Sequence, residues 1–128
     1  MLLFVYGTLM KDFGNNSFLK ECHFLGTATT KDNFCMYFQS GIPFLNDKIE
    51  LCNIHGELYL VDEKTLRKID ILEDNESWYT RKQKVVYNCG REKLAWIYIC
   101  NTETGIIVED GDFRLFHEEH CRNLMGKL

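Results

Sequence analysis

Glu73 stands where a carboxylate is least expected. Asp62 reads as the cap of a helix running from Glu63 to about Glu73. At about 100° per residue, Glu73 falls between Leu66 and Ile69 on the apolar face of that helix. Asp70 lies at the edge of the face, while Arg67 and Lys68 turn away. A carboxylate directed at a core is costly unless it is paired, neutral or lining a cavity. In a cavity, desolvation moves a carboxyl group toward the range where it serves as base and then acid. The alternative is that the helix frays by Glu73 and the side chain turns to water. A second candidate is Tyr6-Gly7-Thr8-Leu9, where an apolar strand ends in Gly and Thr. Consecutive amides at such a strand end can form a concavity for a carboxylate or oxyanion; the alternative is an ordinary turn.

Other constellations fail on spacing. His117-Glu118-Glu119-His120-Cys121 resembles a metal cluster, but its histidines are three apart where the HExxH zinc motif needs four, so a solvated helix face is expected and no metal. The chain contains no GxGxxG, GxxxxGK[ST] or GxSxG pattern. Nothing local marks a cysteine as a nucleophile.

The elements that must position these residues follow from periodicity and punctuation. Leu2 to Tyr6 is a continuous apolar run that suits a strand buried on both faces. A short helix is expected around Asn16 to Cys22, capped by Asn or Ser. Strands are expected over His23 to Thr30 and Asn33 to Phe38, with a turn at Ser40-Gly41-Ile42-Pro43. Glu50 to Val61 alternates, with Ile54, Gly56, Leu58 and Leu60 on one side. After the Glu63 helix come strands Lys84 to Asn88 and Lys93 to Cys100, joined like a hairpin at Cys89-Gly90. The basic cluster Arg81-Lys82-Gln83-Lys84 reads as a solvated strand start. Asp112 to Leu124 reads as a terminal helix with Phe113, Phe116 and Leu124 inward. About six strands and two or three helices make a small α+β domain with a mixed sheet, curled into a barrel, over residues 1–128.

Composition excludes several classes. The 128 residues carry 45% hydrophobic side chains, with nine Phe, six Tyr and two Trp, which rules out disorder. The net charge of −4, with no basic block, points away from nucleic acid. No apolar run approaches the ~20 residues of a membrane span, and MLLFVYGTL lacks the basic lead of a signal peptide. Six cysteines without a CxxC pair are expected to be free thiols in a cytoplasmic protein.

Taken in order, several segments resemble the gamma-glutamylcyclotransferase-like superfamily, and most its gamma-glutamylamine cyclotransferase branch. Phe4-Val5-Tyr6-Gly7-Thr8-Leu9 resembles the opening strand and YGTL loop. Phe24 to Ala28, Gly41-Ile42-Pro43 and Ile54-His55-Gly56-Glu57-Leu58-Tyr59 resemble the next strand, the Gly-x-Pro turn and the GElY strand. Ile69-Asp70-Ile71-Leu72-Glu73 followed by Tyr79-Thr80-Arg81 is similar to the LDxxE…YxR signature, and Ala95 to Tyr98 and Gly111 to Arg114 to the closing motifs. The likeness covers roughly residues 2 to 116; residues 117–128 have no counterpart, and the acidic stretch after Glu73 departs from the pattern. Glu76 is a rival to Glu73 whose spacing to Tyr79 fits less well. The resemblance implies a small mixed barrel and a cofactor-free reaction on a small γ-glutamyl amide, giving 5-oxoproline and an amine. It implies Glu73 as general base and acid, the Gly7, Thr8 and Leu9 amides as the carboxylate seat, and Tyr6 and Tyr79 in the pocket lining. Cyclotransferases of γ-glutamyl dipeptides or of biosynthetic amines, and a non-catalytic carboxylate binder, are the alternatives on the same fold.

Overall fold

The computed structural model describes residues 1–75 and 79–125. Five strands close a barrel in the order β1 (Leu2–Val5), β5 (His55–Leu60), β2 (His23–Thr30), β6 (Thr80–Asn88) and β7 (Arg91–Ile99). Every neighbour is antiparallel except β1 and β7, whose parallel pairing closes the ring. The apolar run in β1 is explained by that central place. Phe4 lies opposite Leu58 and Leu3 opposite Tyr59, so the two residues face opposite sides of the sheet, and all four are buried. Each such side chain contributes about 1.5–3 kcal/mol by leaving water. Gly56 is required here, since a Cβ would collide with the Val5 carbonyl and the Phe4 ring.

A second sheet of three strands, β4 (Ile42–Asn46), β3 (Cys35–Gln39) and β8 (Ile106–Ile107), stands beside the barrel. A 3₁₀ helix, Gly14–Leu19, follows the first loop, and helix α1 (Glu63–Asn75) joins the two halves of the barrel. Asp62 caps α1 by accepting the Thr65 amide at 2.7 Å. Helix α2 (Phe113–Met125) starts from the Asp112 cap and buries Phe113.

Five local expectations change. The segment after the first loop is a 3₁₀ helix ending at Leu19 with no side-chain cap, because Asn15 and Asn16 bond the loop instead. Ile42 and Pro43 belong to strand β4 rather than to the turn; β4 is an edge strand, where a missing N–H is tolerated. Strand β6 begins at Thr80, and its basic residues are engaged, Arg81 with Asp70 and Lys82 with Asp47. Leu60, the last residue of β5, and Leu124, next to the end of α2, are exposed. The His117–Cys121 segment of α2 is solvated only in part: Glu118, Glu119 and Cys121 are exposed, while the half-buried His117 packs edge-on against Phe13 and His120 stacks on Phe116.

Candidate active site

Helix α1 continues through Glu73 to Asn75, so the frayed alternative falls away. Leu66 and Ile69 are buried, and Glu73, half-buried, lines a cavity of about 100 Å³ at one end of the barrel. Tyr6, Gly7, Thr8, Leu9 and Tyr79 line the same cavity. All six residues singled out in the sequence therefore meet in one place. The rival Glu76 lies outside the described residues.

The loop between β1 and the 3₁₀ helix has an unusual bonding pattern. The carbonyls of Gly7, Thr8 and Leu9 are all occupied. Gly7 O accepts the Met10 amide at 3.0 Å, Thr8 O the Asn15 amide at 3.0 Å, and Leu9 O the Asn16 Nδ2 at 2.8 Å. Asn15 Nδ2 also donates to Thr8 Oγ1 at 3.0 Å. Among the described residues, the amides of Gly7, Thr8 and Leu9 find no acceptor. Such amides beside a cavity make a ready seat for an anion.

Gly7 is held by close packing. A Cβ there would sit 2.5 Å from Pro43 Cγ and 3.3 Å from Pro43 Cδ. The obstruction is thus the Pro43 ring of β4, which walls the cavity beside Ile42. Tyr79 is fixed against the same strand: its hydroxyl donates to Pro43 O at 3.1 Å and its ring stacks on Phe44 at 5.7 Å.

Tyr98 was not singled out in the sequence, yet it lines the cavity. Its backbone oxygen accepts the Tyr6 hydroxyl at 2.6 Å, and its own hydroxyl donates to Asp70 Oδ1 at 2.6 Å. Arg81 grips the same carboxylate with two hydrogen bonds, at 2.9 and 3.1 Å. Burial, with Tyr79 and Glu73 nearby, pushes the Tyr6 hydroxyl well above its ordinary pKa. Burial and the bond to Asp70 do the same for Tyr98, and Glu73 adds to it. Both phenols stay protonated at neutral pH. Glu73 is the one carboxyl side chain among the described lining residues. The alternation of β7 could have found Tyr98, since Trp96 and Tyr98 share one face of the strand.

Among the described residues no group of His, Cys, Asp or Glu gathers to hold a metal ion, and no helix is long and apolar enough to cross a membrane. The arrangement offers one carboxylate, buried phenols and a row of amides, the parts needed to hold an anion and move a proton beside it.

Comparison with known proteins agrees in fold and in family. A protein of Methanocaldococcus jannaschii, provisionally named a gamma-glutamylcyclotransferase, is 40% identical over 114 residues, 88% of this chain and 94% of its own. The gamma-L-glutamyl-butirosin B gamma-glutamyl cyclotransferase of Niallia circulans is 28% identical over 131 residues, 98% of this chain and 83% of its own. The crystal structure of an AIG2-like protein from Mus musculus superposes with a TM-score of 0.71 at 28% identity, covering 80% of this chain and 78% of that one. Residues 3–115 match the family described as gamma-glutamyl cyclotransferase, AIG2-like, and the chain belongs to that family.

Proposed function

We propose that the chain is a cofactor-free cyclotransferase that releases 5-oxoproline and a free amine from a γ-glutamyl amide. One observation carries this reading: Glu73 lines a single cavity with Gly7, Thr8 and Leu9, whose amides find no acceptor among the described residues. The amides receive the glutamyl α-carboxylate and fold the chain back. The α-nitrogen of the substrate then attacks its own side-chain carbonyl carbon, a C–N bond closes the five-membered ring, and the original amide C–N bond breaks. Because the nucleophile belongs to the substrate, orientation supplies much of the rate. The α-ammonium loses two protons in becoming the lactam N–H, and the departing nitrogen gains two to leave as an ammonium. Glu73 passes protons from one nitrogen to the other and ends as it began. Tyr6 and Tyr79 shape the pocket around the glutamyl chain.

The leaving group is an amine in this reading. The lining also includes the apolar Ile42, Pro43 and Leu72, and no lysine or arginine appears among the described lining residues to meet a second carboxylate. That supports an amine over an amino acid, as would be released from a γ-glutamyl dipeptide. The name of the Niallia circulans relative keeps a biosynthetic intermediate as the second reading.

The test is a panel of γ-glutamyl amines, γ-glutamyl dipeptides and glutathione, assayed for 5-oxoproline with chelator and reductant present. Release from an amine is expected. Release from dipeptides alone would overturn the amine assignment. No release from any member, with 5-oxoproline still bound, would make the protein a carboxylate binder.

A further inference from the structure

Three segments outside the cavity, around Lys11, Glu57 and Arg114, converge on one buried carboxylate. Glu57 of β5 is only 6% exposed. Its Oε1 accepts the Lys11 amide at 2.9 Å and the Tyr59 hydroxyl at 3.1 Å, and its Oε2 accepts Arg114 Nη2 at 3.1 Å. The same Arg114 nitrogen donates to Lys11 O at 2.7 Å. Arg114 Nη1 faces Asp12 Oδ2 at 3.5 Å, where the backbone takes a φ of 72°, a conformation a non-glycine residue keeps only when its surroundings hold it. From Tyr59 the chain of bonds runs on to Asn16, whose Nδ2 donates to the Tyr59 hydroxyl at 3.1 Å and to Leu9 O at 2.8 Å.

A salt bridge that merely fastened a helix to a strand would end on its two side chains. This one reaches the backbone of the loop at Leu9 and at both the N–H and the C=O of Lys11. A buried carboxylate is costly without such partners, so the loop cannot shift without stranding the Glu57 charge. We propose that Glu57 and Arg114 are positioning residues, a brace that holds the loop so that the Gly7, Thr8 and Leu9 amides stay aimed at the substrate carboxylate. The proposal rests on the preceding reading of the loop as the carboxylate seat.

The experiment compares two rings of one size. 5-Oxoproline carries the carboxylate and 2-pyrrolidinone lacks it. Affinities for both are measured by calorimetry on wild type, Arg114→Lys and Tyr59→Phe. Arg114→Lys keeps the charge but loses the rigid guanidinium plane, which sets Nη2 between Glu57 and Lys11 O while Nη1 faces Asp12. Tyr59→Phe removes only the hydroxyl between Asn16 and Glu57, and it carries the test if the lysine variant does not fold. Misaimed amides should weaken 5-oxoproline binding about tenfold while 2-pyrrolidinone binding stays within twofold. A preference for the carboxylate equal to wild type in the folded variants overturns the brace alone. Equal weakening of both rings makes the pair a general structural tie and also overturns it. A wild type that does not prefer 5-oxoproline overturns the reading of the loop, and the brace with it.

Discussion

Arg81 holds Asp70 by two parallel hydrogen bonds, Nε to Oδ1 at 2.9 Å and Nη2 to Oδ2 at 3.1 Å. Asp70 precedes Glu73 by one helical turn, so this pair, with the Tyr98 hydroxyl on the same carboxylate, sets the roll of α1 against β6 and β7. The guanidinium also lies over the Trp96 ring, 4.2 Å from its centroid. Arg81→Lys keeps the charge and loses both the fork and the stacking. The expected cost is about 1–3 kcal/mol of stability, with kcat falling about tenfold through misplacement of Glu73. Steady-state kinetics check it, and a kcat within twofold of wild type would separate the pair from the site.

Glu73→Gln should leave the fold intact, because the amide matches the carboxylate in shape. It cannot shuttle a proton, so turnover should fall about 10²–10⁴-fold. Glu76→Gln, at the rival position, should fall less than threefold. A folded Glu73→Gln variant within threefold of wild type, measured by 5-oxoproline release, would remove Glu73 from the mechanism.

How much was legible in the sequence divides along the range of the interactions. β1 and α1 were readable because their patterns are local: five apolar residues before Gly7, and an Asp62 cap followed by Leu66 and Ile69. The place of Glu73 on the inner face of α1 was readable for the same reason, as an exception to a local pattern. Tyr98 was missed because its role is fixed by Asp70 and Tyr6, which approach it only when barrel and helix close. Asn15 and Asn16 have the chemistry of helix caps, and their side chains were claimed by Thr8 and Leu9 instead. Pro43 reads as a turn residue from sequence, and only the edge position of β4 admits it to a strand. In each case a tertiary partner decided between two uses of the same side chain.

Alkaline pH should unfold the protein through its buried phenols. Burial pushes the Tyr59 hydroxyl from 10.0 up to about 12, with the Asn16 hydrogen bond opposing and Glu57 adding to the rise. The folded chain then keeps a proton that the unfolded chain releases. That stabilisation is whole below pH 10.0 and is lost between there and about 12. Tyr6 and Tyr98, raised by burial first, extend the loss upward. The thiols of Cys22, Cys35, Cys52 and Cys100, raised by burial from 9.0, begin the loss. The melting temperature should therefore decline through the thiol and tyrosine ranges, less steeply through the latter in Tyr59→Phe. Parallel declines in the two proteins would show that Tyr59 does not contribute.

Gly7 and Pro43 make the last test, because their contact can be relieved from either side. Gly7→Ala puts a methyl group 2.5 Å from Pro43 Cγ, closer than packed carbons come, and a proline ring cannot turn aside. Either β4 or the loop must move, and overpacking of this kind costs about 1–3 kcal/mol. If the loop yields, its amides lose their aim, and kcat/KM should fall tenfold or more on the scale of one charge-assisted hydrogen bond, about 1.5–3 kcal/mol. Thr8→Ser leaves the amides and the hydroxyl bonded to Asn15 in place and should be mild. In a Pro43→Ala background the ring is gone, so adding Gly7→Ala should cost less stability than it does in wild type. That coupling is expected at about 0.5–3 kcal/mol, since the two residues touch. Melting temperature and kcat/KM of all four proteins, per folded molecule, decide the matter. Additive stabilities would mean that the methyl group meets something other than Pro43, and an unchanged kcat/KM in Gly7→Ala would take the loop out of the site.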